Sequence, residues 1–463
     1  MEPTTTIRSN IEDYIRKQGY TLQYFADISG VNAGTLSAII KGTRPIAMAQ
    51  LDLITQGMKL EEGHFYEIYG AECFVESAPH WRRLEPFLQR CAELDKLDCI
   101  QRVIQQVTDD RSYVSELFEL AEYMLERGQK KAARMLYECV AECEKYQHSE
   151  RLALCHYRIF TLSLGQDQHE NLRAAVHFEP YINRLDEERQ LDAIKDLANT
   201  YSGLRYWDKV YQLAGELEQR VEFLERYKNK EIGYKRTFKH PFFTYRAYAY
   251  LLMATVWGER QDYEKALQYT SLYSNLSIEE PAPEDLVFIE RFKGWAEVNN
   301  YLYKLMMGDY EALNSYLDFI EKNENETLLG LVKIMEAANL YNLDVDHALG
   351  RFDAYIHLLL LEDHNYMPSY NNQIKDDRYT KFWAELTFYQ LSKGRYTEGF
   401  NHLLTCLASA HKIKDDSTII YCVGLYEEYS MQASESVKQN YKNLIKEVYY
   451  RYGKKSNVSV NAL

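Results

Sequence analysis

The stretch TLQYFADISGVNAGTLSAIIKGTRP, residues 21 to 45, predicts two short helices that turn about a glycine. Thr21 is a good N-cap for the first helix. An apolar stripe at helical spacing follows it, formed by Leu22, Phe25, Ala26 and Ile28. Gly30 can adopt the left-handed conformation that a sharp turn needs, and Asn32 caps the second helix.

The second helix is predicted to have one buried and one exposed face. Leu36 and Ile39 face inward, and Gly42 ends the helix. The outer face then carries Asn32, Ala33, Gly34, Thr35, Ser37, Ala38 and Lys41. Because two helices of this size cannot bury enough surface alone, flanking helices are required. Their apolar markers are Ile7, Ile11 and Ile15 before the turn and Leu51, Leu53 and Ile54 after it.

In helix order, in the Gly30 turn and in the closing TLSAIIKGTRP, residues 7 to 69 resemble the helix-turn-helix domains of the Xre/lambda-repressor type. The resemblance implies a small five-helix domain whose second turn helix lies in the major groove. The implied DNA-binding residues are Thr21, Gln23, Asn32, Ala33, Gly34, Thr35, Ser37, Ala38, Lys41 and Arg44. Of these, Lys41 and Arg44 contact phosphate, and Thr21 and Gln23 open the supporting helix at the DNA backbone.

Ala33 and Ala38 stand where many relatives carry a long polar side chain, which leaves few direct readers of base sequence and, at most, contacts with thymine methyl groups. One alternative is that the domain has lost DNA binding and serves packing or dimerisation. Otherwise, weak binding by a single copy implies a homodimer on a palindromic operator in double-stranded DNA.

The net charge of −15 is unevenly distributed. Residues 1 to 60 carry six lysines and arginines against five acids, so the remainder has a net charge of −16. Only the N-terminal part therefore suits contact with phosphate, and the acidic body favours cationic partners.

Eight scattered cysteines fit a reducing compartment better than a disulfide framework. A zinc site around Cys139, Cys143, His148, Cys155 and His156 lacks paired CxxC hooks, so no metal or other cofactor is predicted. No apolar run approaches the roughly 20 residues of a membrane span, and a cytoplasmic location is expected. Without a P-loop, nucleophile elbow or HExxH motif, no enzymatic activity is predicted.

From about Pro79 the chain is predicted to be all-α, and it repeats. The clearest copies are GERQDYEKALQYTSLYSNL (258–276), MMGDYEALNSYLDFIE (306–321) and SKGRYTEGFNHLLTCLASA (392–410), with looser copies at 125–140 and 202–217. Each has a tight turn, then an aromatic or polar residue, then a small residue about three places on. An aromatic such as Tyr263 is expected to pack against a neighbouring helix, and a small residue such as Ala266 allows close helix approach. The copies resemble tetratricopeptide repeats, hairpins of about 34 residues. That resemblance implies a right-handed superhelix, an α-solenoid whose groove is lined by the first helix of each hairpin.

Candidate peptide-binding residues lie on these first helices. The pattern A-N-x-Y occurs in LANTY (197–201) and AANLY (337–341), and VNNYLY (298–303) adds two more asparagines. A carboxamide can donate to and accept from a peptide backbone. The candidate peptide-binding residues are Asn199, Arg246, Tyr248, Asn299, Asn300 and Asn339. Each asparagine alone also fits an ordinary polar position, and Arg246 also fits a surface ion pair. The basic run 227–243 is predicted to be a long inter-repeat loop or, alternatively, a contact for an anion or the DNA backbone.

In domain order, length and repeat texture the chain resembles the cytoplasmic peptide-pheromone receptors of Gram-positive bacteria, the RRNPP superfamily. The resemblance implies a quorum-sensing transcription regulator that binds promoter DNA as a dimer and is controlled by a short signalling oligopeptide in the groove. The implied domains are 1–69 (helix-turn-helix), 70–79 (linker), 80–452 (peptide binding and dimerisation, the latter through about 380–450) and 453–463 (tail). The alternative is a protein-binding regulator that sequesters or dephosphorylates a response regulator and does not bind DNA.

Overall fold

The computed structural model describes residues 6–73, 80–107, 111–228, 238–275, 282–361 and 370–456. The regular elements within these ranges are all helices, as the sequence predicts. Most of the predicted linker, most of the basic run and most of the tail lie outside the described residues. The chain divides into two compact units, Met1–Leu162 and Ser163–Leu463. The domain boundaries proposed from the sequence stay predictions.

The first unit begins with five short helices and continues with five more. The helices are α1 (Ile7–Gln18), α2 (Leu22–Ser29), α3 (Ala33–Ile40), α4 (Met48–Gly57), α5 (Tyr66–Glu72), α6 (Trp81–Glu93), α7 (Leu97–Val107), α8 (Val114–Glu126), α9 (Lys130–Cys143) and α10 (Glu150–Ser163).

The predicted turn between α2 and α3 is confirmed in detail. The Thr21 hydroxyl accepts a hydrogen bond from the Tyr24 N–H at the start of α2. Gly30 has a φ of 72°, so it takes the left-handed conformation in which a side chain is strained. The Asn32 side chain then accepts from the N–H groups of Gly34 and Thr35 and begins α3.

The apolar stripe predicted for α2 is wrong at Ile28, which is 42% exposed, while Ser29 is buried. Ser29 packs against Gly57 of α4, where an added Cβ would lie 2.7 Å from the Ser29 Cβ. The two helices therefore approach too closely for any side chain at position 57. Leu53 is likewise 39% exposed, although Leu51 and Ile54 are buried as expected.

The second unit consists mainly of helical hairpins. Its helices are α11 (Gln168–Phe178), α12 (Glu187–Gly203), α13 (Trp207–Lys228), α14 (Phe242–Glu259), α15 (Tyr263–Ser274), α16 (Asp285–Met306), α17 (Ala312–Lys322), α18 (Glu324–Tyr341), α19 (Asp346–Arg351), α20 (Asp353–Leu361), α21 (Tyr370–Ser392), α22 (Tyr396–Ile413), α23 (Asp416–Tyr429) and α24 (Glu435–Ser456). Consecutive helices pack as pairs α12/α13, α14/α15, α16/α17 and α21/α22.

The tight turns predicted from the repeats share one backbone feature. In all five repeats a residue with positive φ separates the two helices of the hairpin. These residues are Gly128, Arg205, Gln261, Gly308 and Gly394. Since each reverses the chain in the same way, the second helix returns along the first, and successive hairpins have equivalent faces.

The aromatic and small positions of the repeats pack as predicted. Tyr263 stacks on Tyr303 of α16, with ring centroids 6.3 Å apart. Ala266 is fully buried. Gly258 allows the approach of Tyr303, because a Cβ at position 258 would lie 2.6 Å from its ring.

Candidate functional site

The outer face of α3 and its flanks form the candidate nucleic-acid interface. Leu36 and Ile39 anchor the inner face and are fully buried. The opposite face is small and mildly polar. Asn32 and Gly34 are exposed, and the remaining positions are half-buried, namely Ala33, Thr35, Ser37 and Ala38. This arrangement leaves room for another surface to approach the α3 backbone closely.

Cationic side chains lie at the C-terminal end of α3. Lys41 and Arg44 are both exposed, and an Arg44 Nη donates to the Thr35 hydroxyl at 3.4 Å. Sequence reasoning missed Arg8 of α1, whose guanidinium lies 3.1 Å from the Cβ position of Gly42. No spacing in the sequence signals this contact, because it arises only where α1 packs against α3.

Three of the predicted DNA-contacting side chains already form hydrogen bonds within the protein. The side-chain oxygen of Asn32, Oδ1, caps α3, so its Nδ2 group remains able to donate a hydrogen bond. Gln23 donates to Asp27 one turn later in α2, at 3.0 Å. Thr21 caps α2 through its hydroxyl. The face therefore offers more backbone contacts than base-reading side chains, as its alanines predict.

The second unit contains a cavity of about 710 Å³. Its walls come mainly from α12, α14, α16 and α21, the first helices of four hairpins, and from α18, with one residue of α23. Apolar residues such as Leu251, Val298 and Leu329 alternate with aromatic ones such as Trp295 and Phe388. The cavity thus combines a large apolar surface with polar groups from several helices, as ligand sites do.

Four of the predicted peptide-binding residues line this cavity. Tyr248 donates from its hydroxyl to Asn199 Oδ1 at 2.6 Å. Asn299 donates to the Tyr273 hydroxyl at 2.8 Å. Asn339, from the second A-N-x-Y copy, also lines the wall. The recurrence of that motif therefore corresponds to equivalent places on α12 and α18.

Two other candidates lie elsewhere. Arg246 forms an ion pair with Glu225 and is not among the cavity-lining residues. Asn300 is exposed and is also absent from the wall, because it is one residue, or about 100° of helix, beyond Asn299. The surface ion pair left open for Arg246 is therefore the arrangement observed.

A network of charges on the cavity wall was missed from the sequence. Lys333 Nζ lies 2.6 Å from Glu259 and 2.8 Å from Glu336. Lys381 pairs with Glu336 and lies 4.0 Å from Glu259. Burial acts to raise the pKa of Glu259, but the two ammonium groups outweigh it and hold that pKa at about 2.

Two arginines also line the cavity. Arg205 lies 3.2 Å from Asp377 and 3.9 Å from Asp415. Arg378, on the same helix as Lys381, has no hydrogen bond or ion pair with the residues that the structure describes. Burial raises the pKa of nearby Glu326, and the Arg378 charge opposes that rise.

A sequence signal for part of this network existed. Lys333, Glu336 and Asn339 follow one another at three-residue spacing on α18, so stepping back from the A-N-x-Y asparagine leads to both charges. On α21, Arg378, Lys381 and Glu385 recur at the spacing of one helical face. No asparagine motif marks α21, so the sequence does not indicate which of its side chains line the cavity.

In the described part of the chain, no cluster of three or more histidine, cysteine or acidic side chains could hold a metal ion. None of the described helices is both long and apolar enough for a membrane crossing.

No protein-family model matches the chain, and no curated protein matches it. Among solved structures, it is similar to the crystal structure of Bacillus thuringiensis PlcR in complex with the peptide PapR7 and DNA. The identity is 13%, the TM-score is 0.27, and the match covers 70% of this chain and 99% of that one. A match this weak gives no information about function.

Proposed function

We propose that this protein is a quorum-sensing transcription regulator whose binding to promoter DNA is controlled by a short signalling peptide. The N-terminal helix-turn-helix residues contact the DNA, and the cavity of the second unit binds the peptide. The role is one of binding, with no catalytic step. The single observation that carries the proposal is the cavity, which joins the two recurrent asparagines, Asn199 and Asn339, on helices of different hairpins.

The composition of the cavity wall supports a peptide ligand. Its volume of about 710 Å³ falls in the range of roughly 300–1,000 Å³ that small-ligand sites occupy. Asn199 and Asn299 offer carboxamides to a backbone, and the apolar positions offer contacts to side chains. A peptide needs both, because each residue presents an N–H, a C=O and a side chain.

The ligand controls DNA affinity only if it binds one arrangement of the protein better than another. Six helices of the second unit meet at the cavity. A peptide that bridges them favours the spacing of the hairpins that fits it best. In the proposed homodimer, with residues 380–450 at the interface, that spacing sets the separation of two DNA-reading helices on a palindromic operator.

A DNA retardation experiment tests the proposal. The purified protein is titrated onto the region upstream of its own gene, with and without synthetic peptides encoded by neighbouring small reading frames. We expect a retarded complex whose affinity a peptide changes. Lys41→Ala and Arg44→Ala each weaken the complex and lower the salt slope by about 1, because each removes a phosphate contact.

Lys17→Ala, which removes an exposed lysine outside α2 and α3, is the matched control and retains wild-type affinity. Absence of a complex for the wild type at low salt would refute DNA binding. That result would favour the protein-binding regulator, and a search for a protein partner of the cavity would follow.

A further inference from the structure

The Asn339 carboxamide is held in one orientation and has an unused acceptor. Its Nδ2 group donates to the Glu385 main-chain oxygen at 2.9 Å and to Glu385 Oε2 at 2.8 Å. Both partners are acceptors, so the amide cannot be flipped. Its Oδ1 atom is buried and has no hydrogen-bond partner in the described part of the chain. Buried acceptors without a hydrogen-bond partner are rare in folded proteins, so a donor from a ligand would fit here.

Glu385 lies at the same place and lacks a partner of opposite charge. It lines the cavity and has no ion pair with any residue that the structure describes. Lys381, one turn earlier on α21, pairs with Glu336, while Lys333 lies between Glu259 and Glu336. Of the three carboxylates beside these two ammonium groups, Glu385 is the one that forms no ion pair with them, and burial raises its pKa.

Arg378 supplies the opposite charge farther along the same wall. It precedes Glu385 by seven residues, which is two turns of α21 or about 10 Å along the helix axis. Both side chains line the cavity. An extended chain covers about 10 Å in three residues. The spacing therefore matches two opposite charges carried by one short peptide.

We propose that Asn339 and Glu385 bind a cationic N–H donor of the peptide, that Arg378 binds a carboxylate of the same peptide, and that the ligand therefore lies in one direction along α21. This inference rests on the proposed peptide-binding function. An ammonium or guanidinium group satisfies the Asn339 acceptor and the Glu385 charge together. The donor is either the peptide's α-amino group or a lysine or arginine side chain.

The experiment is affinity selection with the full-length protein. The probe is a synthetic random heptapeptide library, and peptides that co-elute with the protein are counted by mass spectrometry. Four forms are compared: free termini, N-acetylated, free of lysine and arginine, and both modifications together. We expect the protein to retain at least about tenfold less of the doubly modified library than of the library with free termini. The single modification that causes the loss identifies the source of the cation.

Variants separate the subsite from general damage to the fold. Glu385→Gln keeps an acceptor for Asn339 but removes the charge, so cationic peptides bind about ten- to a hundredfold more weakly. The decisive readout is the ratio of cationic to doubly modified peptides retained, which approaches one in Glu385→Gln. Glu264→Gln, an exposed carboxylate on α15 outside the wall, keeps the wild-type ratio. Two further libraries, one C-terminally amidated and one free of aspartate and glutamate, test Arg378: the wild type retains them less than the library with free termini, and Arg378→Gln abolishes that preference.

Equal retention of all four libraries by the wild type would overturn the inference and leave peptide binding intact. An unchanged ratio in Glu385→Gln would do the same. If the wild type retained no peptide from any library, the proposed peptide-receptor function would fail, and this inference with it.

Discussion

Replacing Lys333 by methionine tests the buried charge network directly. Its Nζ atom contacts both Glu259 and Glu336, and the three side chains are between 15% and 21% exposed. Methionine fills most of the same volume without a charge. The change leaves two carboxylates in a poorly solvated place, and removal of one partner of a buried pair costs roughly 3–5 kcal/mol.

The perturbed pKa gives a magnitude of its own. The pKa of Glu259 is lowered from 4.5 to about 2, a difference worth about 3 kcal/mol of folding free energy as an upper bound. This stabilisation is present above pH 4.5 and is lost as the pH falls towards 2, because protonation then removes the favoured carboxylate. Lys381 still faces both acids in the variant. We therefore expect Lys333→Met to lose about 3 kcal/mol at pH 7, the low end of the range.

Urea denaturation followed by tryptophan fluorescence measures this loss, since four of the five tryptophans belong to the second unit. The loss shrinks at pH 4, where Glu259 of the variant takes up a proton, and Glu259→Gln in the Lys333→Met background restores part of the stability. Lys293→Met, which breaks an exposed pair with Glu290, changes stability by less than about 1 kcal/mol. A variant as stable as the wild type at pH 7, or a loss of the same size at pH 4, would refute the reasoning.

Two further predictions concern single positions. Asn32→Ala removes the α3 cap and lowers the free energy of unfolding by about 1 kcal/mol in thermal denaturation, whereas Asn32→Asp keeps the cap and weakens only DNA retardation. Equal destabilisation by both variants would show that the Asn32 side chain does not stabilise α3 as an N-cap. Gly258→Ala brings a Cβ to 2.6 Å from the Tyr303 ring and costs about 1–3 kcal/mol in urea. Gly294→Ala, with no atom within 4 Å of the new Cβ, does not destabilise α16, and equal effects of the two would contradict the packing argument.

The local structure of the N-terminal turn could be predicted because its determinants are local. Thr21, Gly30 and Asn32 act through hydrogen bonds and backbone angles within a few residues. Ile28 was misplaced because the exposure of a helix position depends on how closely α4 approaches, and that distance is set by Gly57, far along the chain.

The residues that line the cavity could likewise be predicted only in part. The repeat motif led to Asn199 and Asn339, since equivalent places in stacked hairpins face the same side. It could not lead to Arg378 or Glu385, which belong to α21 and follow no asparagine motif. Arg246 was predicted to bind the peptide, but Glu225 of the preceding helix pairs with it. Such pairing between helices depends on tertiary packing and leaves no periodic trace.

The left-handed residue after the first helix of each of the five repeats also restricts how the sequence of these hairpins can vary. Gln261 fixes where α14 stops, so inserting one residue within α14 would rotate every later side chain of that helix by about 100° relative to the earlier ones. Glu259 would then turn away from Lys333, and Gly258 from Tyr303. New ligand preferences are therefore accessible by substitution along the inner helices, whereas length variation is confined to the segments between hairpins.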